Sequence, residues 1–186
     1  MKKSSIVISL FFLLLFANVA ISQTDYYVSG ARQKNKIKPD FPFDIQLKSP
    51  EGKLINSADL FKKHKEPTVL LFWLTTCYPC RLEIAEIQKK YEQWKKEERF
   101  RLVLISYDFP QNFANFTKRA EEEKWPWEAY NDVNREFGQV LPGELNGLPQ
   151  SFVFDKDGKI AYQKRKYTPG DEDNLFAKIK DLNKKN

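Results

Sequence analysis

Two sulfurs dominate the reactive inventory of this 186-residue chain. Cys77-Tyr78-Pro79-Cys80 stands between the apolar run 68–74 and a segment of helical periodicity. A sulfur at the first turn of a helix meets free N–H groups and the positive end of the helix macrodipole. There a thiol ionises below its ordinary value of about 8.5. The spacing puts Cys80 one turn further on, near enough to close a small disulfide with Cys77 and on the apolar side of the helix. An exposed nucleophile with a shielded resolver behind it is the division of labour that thiol–disulfide exchange needs. Two other readings of the pair are weaker. Half a metal site is one, but two Cys and one His (His64, in a charged stretch) do not complete a four-ligand zinc centre. An inert structural disulfide is the other, disfavoured because so short a loop constrains the unfolded chain little. No metal and no cofactor is called for.

The elements that must hold this turn are legible in the hydropathy pattern. Residues 68–74 read Thr-Val-Leu-Leu-Phe-Trp-Leu, the continuous apolar run of a strand covered on both faces at a sheet centre. After the turn, Cys80, Ile84, Ile87, Tyr91 and Trp94 fall on one helical face. Residues 102–105 form a second buried strand, and Phe113, Phe116 and Ala120 mark a helix that ends before Trp125-Pro126. A strand–helix–strand of this kind implies a right-handed parallel crossover. Ahead of it, Phe41, Phe43, Ile45 and Leu47 alternate with polar residues, predicting a half-buried strand that turns at 49–52 and returns at 53–55; Ser57 caps a short helix. Behind it, a short helix is expected over 131–137 and a loop over 139–147. A hairpin is expected around 155–158, then a final helix opened by Thr168-Pro169-Gly170-Asp171 with Pro at its first position. The sum is an α/β fold: a central mixed β-sheet with helices on both faces and an added N-terminal β-hairpin.

Composition bounds the rest. With 41% hydrophobic residues and 15 Phe, 8 Tyr and 4 Trp, the chain has the apolar mass for one core and is not a disordered protein. Its net charge of +6 is spread among acids, as at 89–101 and 118–124, so the basic residues read as solvated faces and no nucleic acid is expected. Lys2 and Lys3 precede an apolar run over 6–19 and then Ala20-Ile21-Ser22-Gln23, the order of a secretory signal cut before Gln23. The run is short of the roughly 20 residues of a membrane span, which leaves an uncleaved anchor as the minor alternative. The expected organisation is a signal peptide at 1–22, a polar arm at 23–39 and one domain at 40–186. Export to a periplasmic or extracytoplasmic space lets a Cys pair persist as a disulfide.

Several short motifs, taken together, carry a family likeness. They are Pro39-Asp40-Phe41, Glu51-Gly52-Lys53, Phe72-Trp73, Cys77-Tyr78-Pro79-Cys80-Arg81, Gly147-Leu148-Pro149 and Phe154-Asp155-Lys156-Asp157-Gly158-Lys159. With these the chain resembles the exported TlpA/ResA-like thiol–disulfide oxidoreductases of the thioredoxin superfamily, from about Pro39 to the last helix. The resemblance implies a thioredoxin-like fold. It also implies a cis bond at Pro149 packed beside the Cys pair, which bares the Leu148 backbone for strand-like pairing with a substrate chain. Thr76, Tyr78 and Pro79 complete the expected contact surface. It implies a functional acid at Glu83; on the helix this residue shares the side of Cys80, Ile84 and Ile87, where an apolar border can raise a carboxyl's pKa and suit it to moving protons for Cys80 or tuning Cys77, the alternative being a half-exposed surface glutamate. Implied partners are exported proteins bearing disulfides or dithiols, such as apocytochromes before haem attachment, with a membrane thiol carrier as electron donor. The sequence departs from the family at Leu71, where thioredoxin has a buried acid, at Thr76, at Gln150 and in the longer loop 139–147. Two other activities compete. A thiol peroxidase meets Leu74 where peroxiredoxins carry a Thr, and a Cu(I) carrier lacks the longer Cys spacing and distal His of such relatives.

Overall fold

The computed structural model describes residues 39–62 and 65–185. The leader 1–22, the arm up to residue 38 and His64 lie outside the described residues. Seven strands form one mixed sheet. Its middle is β3 (Thr68–Trp73), all six residues buried, flanked by β4 (Arg101–Ser106) in parallel and β6 (Gln150–Phe154) antiparallel. Beyond β4 lies β5 (Glu128–Asp132), parallel to it, and then β1 (Gln46–Lys48) and β2 (Leu54–Asn56), the N-terminal hairpin. Beyond β6, β7 (Ile160–Arg165) closes the other edge. This is the mixed sheet expected, with the hairpin added at its far side.

Helices cover both faces. α1 (Ser57–Phe61) and α4 (Phe137–Val140) set Phe61 and Phe137 among Phe43, Leu70, Phe72, Ile105 and Phe152 on one face. α2 (Tyr78–Glu97), α3 (Phe113–Glu123) and α5 (Asp171–Lys184) cover the other, where Ile84, Ile87, Trp94, Phe116 and Ile179 pack on Val69, Leu71 and Trp73. Each such aliphatic side chain taken out of water contributes about 1.5–3 kcal/mol. α2 is the long element: Pro79 sits in its first turn, where the missing N–H costs nothing, and Lys95 and Lys96 face the negative end of its dipole. Among the described residues no helix is long and apolar enough to cross a membrane.

The structure corrects four local expectations. Asn56 and not Ser57 caps α1: its side chain accepts the Ala58 N–H at 2.7 Å, while the Ser57 hydroxyl is taken by the Ile45 N–H at 3.0 Å. Only Gln46–Lys48 of the predicted strand 41–48 joins the ladder, because Phe43 takes a left-handed backbone (φ 59°) that breaks the extended run; Phe43, Ile45 and Leu47 still point inward. The stretch 131–137 is not a helix. It holds the end of β5 and a tight turn, and α4 begins at Phe137, running into the region expected as loop. Asn131 and Asp132 are poor strand formers, and side-chain bonds hold them there. The Asn131 amide donates to the Ser106 carbonyl and hydroxyl, both at 3.3 Å. The Asp132 carboxylate accepts the Glu136 and Phe137 N–H groups, both at 2.9 Å. Finally, α5 starts at Asp171, two residues past Pro169, behind Gly170 at φ 97°, a conformation glycine adopts without steric cost.

Candidate functional site

The chain leaves β3 at Trp73 and enters α2 at Tyr78, and the four residues between are pinned from below. Asp108, buried just past the end of β4, accepts the Thr75 N–H at 2.9 Å, the Thr75 hydroxyl at 3.0 Å and the Ser106 hydroxyl at 2.8 Å. The Tyr107 N–H donates to the Trp73 carbonyl at 2.8 Å, and Arg81 reaches back to the Thr75 carbonyl at 3.4 Å. Cys77 is thereby set as the N-cap of α2, half-buried, in extended backbone. Its sulfur accepts the Cys80 N–H at 3.2 Å, the contact that a charged sulfur at a helix start exploits. Cys77 and Cys80 are joined as a disulfide with Cα atoms 5.3 Å apart. Cys80 is fully buried against the α2 face of the core.

Around this turn the exposed side chains are Thr76, Pro79 and Tyr78, the last 62% exposed. The Leu148–Pro149 bond is cis, and Pro149 leads directly into β6, where Gln150 pairs with Phe72. Leu148 is half-buried and packs against the same core cluster as Cys77. All eight residues singled out from the sequence thus gather at the edge of the sheet where β3 ends and β6 begins.

Glu83 lies one turn behind Cys80 and is only 3% exposed. The Ser151 hydroxyl donates to its Oε1 at 2.8 Å, while Oε2 is buried with no hydrogen-bond partner. Burial pushes this carboxyl up to about 7; the Ser151 bond opposes the rise, Asp171 and Glu172 add to it, and Lys164 opposes it. Ser151 pairs with Leu71 across β3 and β6, so the acid stands on the helix facing a strand position that carries only leucine.

Sequence reasoning missed the polar group beneath the turn: Thr75, Ser106, Asp108 and Asn131. The available signal was position. Ser106-Tyr107-Asp108 comes directly after a buried apolar strand, and the carboxyl ends of parallel strands are where α/β proteins build sites. It also missed Phe109, which is 51% exposed on the same edge.

Residues 38–163 match the AhpC/TSA family. Thiol-disulfide oxidoreductase ResA of Bacillus thuringiensis (strain Al Hakam) is 29% identical over 166 residues, covering 88% of this chain and 89% of that protein. ResA of Bacillus anthracis is also 29% identical over 166 residues, with the same coverage. The solution structure of a thioredoxin-like protein from Porphyromonas gingivalis superposes with a TM-score of 0.64 at 31% identity, over 75% of this chain and 89% of that one. StoA from Bacillus subtilis, at 21% identity and a TM-score of 0.57 over 75% of this chain and 98% of its own, shares the fold. Because the matched span takes in the Cys77–Cys80 turn, the Pro149 loop and β3 through β6, the chain belongs to the AhpC/TSA family, as a ResA-like thiol-disulfide oxidoreductase of the thioredoxin superfamily.

Proposed function

We propose that this oxidoreductase works outside the cytoplasm as a reductant of protein disulfides. The observation that carries the reading is the asymmetry of the two sulfurs: Cys77 half-exposed at the N-cap of α2, Cys80 sealed beneath it. In the reduced protein the Cys77 thiolate attacks one sulfur of a partner disulfide. A Cys77–partner bond forms, the partner's S–S bond breaks, and the partner's other sulfur leaves as a thiolate. Cys80 then gives its proton to Glu83 and attacks the Cys77 sulfur, expelling the partner's second thiolate and closing Cys77–Cys80. The partner gains two electrons and this protein loses two. A carboxyl that titrates near neutrality suits Glu83 to that proton. Thr76, Tyr78, Pro79 and Leu148 form the surface on which the partner chain lies, backed by the buried Pro149, with the Leu148 backbone open to strand-like pairing. No bound cofactor takes part.

Residues 1–22 act as a removable export signal and 23–39 as an arm ahead of the catalytic domain. Exported proteins with disulfides, apocytochromes among them, are the partners, and a membrane thiol carrier returns the electrons. Cys77→Ser abolishes disulfide reduction, whereas Cys80→Ser leaves attack intact and accumulates a mixed disulfide at Cys77. Purifying that adduct from the native compartment and identifying the attached protein tests the partner class. Full reductase activity in Cys77→Ser, or peroxide consumption in place of disulfide reduction, contradicts the reading.

A further inference from the structure

Beside the redox turn, on the opposite face of the sheet from α2, lies an open cavity of about 730 Å³ lined by Tyr107, Arg135, Gly138, Leu141 and Glu144. Its connections place it on the working edge. Tyr107 is bonded to the carbonyl of Trp73, and Asp108, its neighbour, holds Thr75 two residues before Cys77. The loop that forms the far wall runs on into Leu148–Pro149.

The cationic group in this cavity is held in a fixed frame. The Arg135 guanidinium stands 4.0 Å from the Tyr107 ring centre and 4.1 Å from that of Phe109, the exposed ring on the adjoining loop. The Tyr107 hydroxyl donates to the Arg135 carbonyl at 3.2 Å. Arg135 itself takes a left-handed backbone (φ 57°), fixed by its N–H on the Asp132 carbonyl at 3.1 Å. A Cβ at Gly138 would collide with the Tyr107 hydroxyl, so glycine at that position lets the ring lie where it does. The nearby acids are otherwise engaged or turned out. The Asp132 carboxylate is taken up by the N–H groups of Glu136 and Phe137, Glu136 accepts the Gln46 N–H, and Glu144 is exposed on the rim. Among the described residues the Arg135 side chain enters no ion pair; it touches the two rings and acts on the buried Asp132 carboxyl only through its charge.

A guanidinium whose carbon lies over two ring faces has no acceptor in those rings for its in-plane N–H groups, and a planar fork of donors matches a carboxylate. We infer that Arg135, held over the Tyr107 and Phe109 rings, binds a carboxylate of the polypeptide whose disulfide Cys77 attacks, and so selects partners with an acidic residue near the reacting Cys. The inference rests on the reductase reading above. Arg81 and Lys166 at the same edge, which enter no ion pair among the described residues, reinforce that choice of sign.

The test uses the full reduced protein and a matched set of short synthetic peptides. Each carries one Cys capped as a mixed disulfide with mercaptoethanol and flanked by either Glu or Gln. The wild type cleaves the Glu peptide about tenfold faster than the Gln peptide, equivalent to about 1.4 kcal/mol. Arg135→Gln brings that ratio near one, while Lys156→Gln, in the β6–β7 turn at the opposite end of the sheet, keeps it. Equal rates on both peptides in the wild type, an unchanged ratio in Arg135→Gln, or an equal loss in Lys156→Gln overturns the inference. Failure of the wild type to cleave either peptide overturns the reductase reading instead.

Discussion

At Glu83 the physical chemistry of a single side chain sets both a stability term and a catalytic one. Its surroundings bury the carboxyl, offer it one hydroxyl from Ser151, leave Oε2 without a hydrogen-bond partner and set Asp171 and Glu172 near it, which together outweigh the opposing Lys164 and favour the neutral acid. The carboxyl titrates at 4.5 in an open chain and at about 7 in the fold. The folded state therefore holds the proton more tightly. Glu83's contribution is complete below pH 4.5 and is lost as pH climbs through about 7, a decline of about 3 kcal/mol. Urea unfolding of oxidised wild type and Glu83→Gln across that range should show the wild type losing about 3 kcal/mol relative to the variant. A difference that does not change with pH would mean that the carboxyl titrates in the fold as it does in the open chain. The amphipathic pattern of α2 made the placement of Glu83 legible, since three residues after Cys80 it shares that residue's side. It could not reveal the hydroxyl, because Ser151 lies 68 residues away.

At the scale of elements, the redox turn is held as much by the segment just after β4 as by α2. Asp108 takes three hydrogen bonds at once, two from Thr75 and one from Ser106, and ties the exit of β3 to the exit of β4. Removing a buried charged acceptor leaves its donors dry, at a cost of about 3 kcal/mol. Asp108→Ala is accordingly expected to lower unfolding stability by about that amount and to slow alkylation of Cys77 in the reduced protein, because the turn no longer presents the sulfur at the helix start. Unchanged stability and unchanged alkylation would show that α2 alone fixes the turn. The same element scale explains the missed strand. Glu128-Ala129-Tyr130-Asn131-Asp132 lacks the β-branched composition of β3 and β4, and its Asn and Asp are kept in the ladder by bonds to Ser106 and to the start of α4. Tertiary contacts of this sort override local propensity and leave no trace in a periodicity.

Over the whole molecule, the working edge is assembled from segments far apart in the chain: the turn at 75–80, the β4 exit at 106–109, the loop at 135–147 and the entrance to β6 at 148–151. Two apolar runs, an amphipathic helix and a hairpin turn identified the α/β sheet and its crossover, since each is a local pattern with a fixed period. The order of strands was less directly readable, for β5 had to be inserted between β4 and the N-terminal hairpin. The Cys pair was legible because its chemistry is written in three-residue spacing; Asp108, Phe109 and Arg135 were not, because only folding brings them beside it. The assembled edge makes two chemically identical sulfurs unlike, one at the rim accepting the Cys80 N–H of the helix start and one inside the core. The direct measurement is pH-dependent alkylation of the reduced protein by iodoacetamide, with the modified residue located by mass spectrometry. Modification should fall on Cys77, with a midpoint below the ordinary thiol value of about 8.5, while Cys80 stays unmodified in the folded protein. Alkylation of Cys80 first, or a Cys77 midpoint at or above that value, would contradict it.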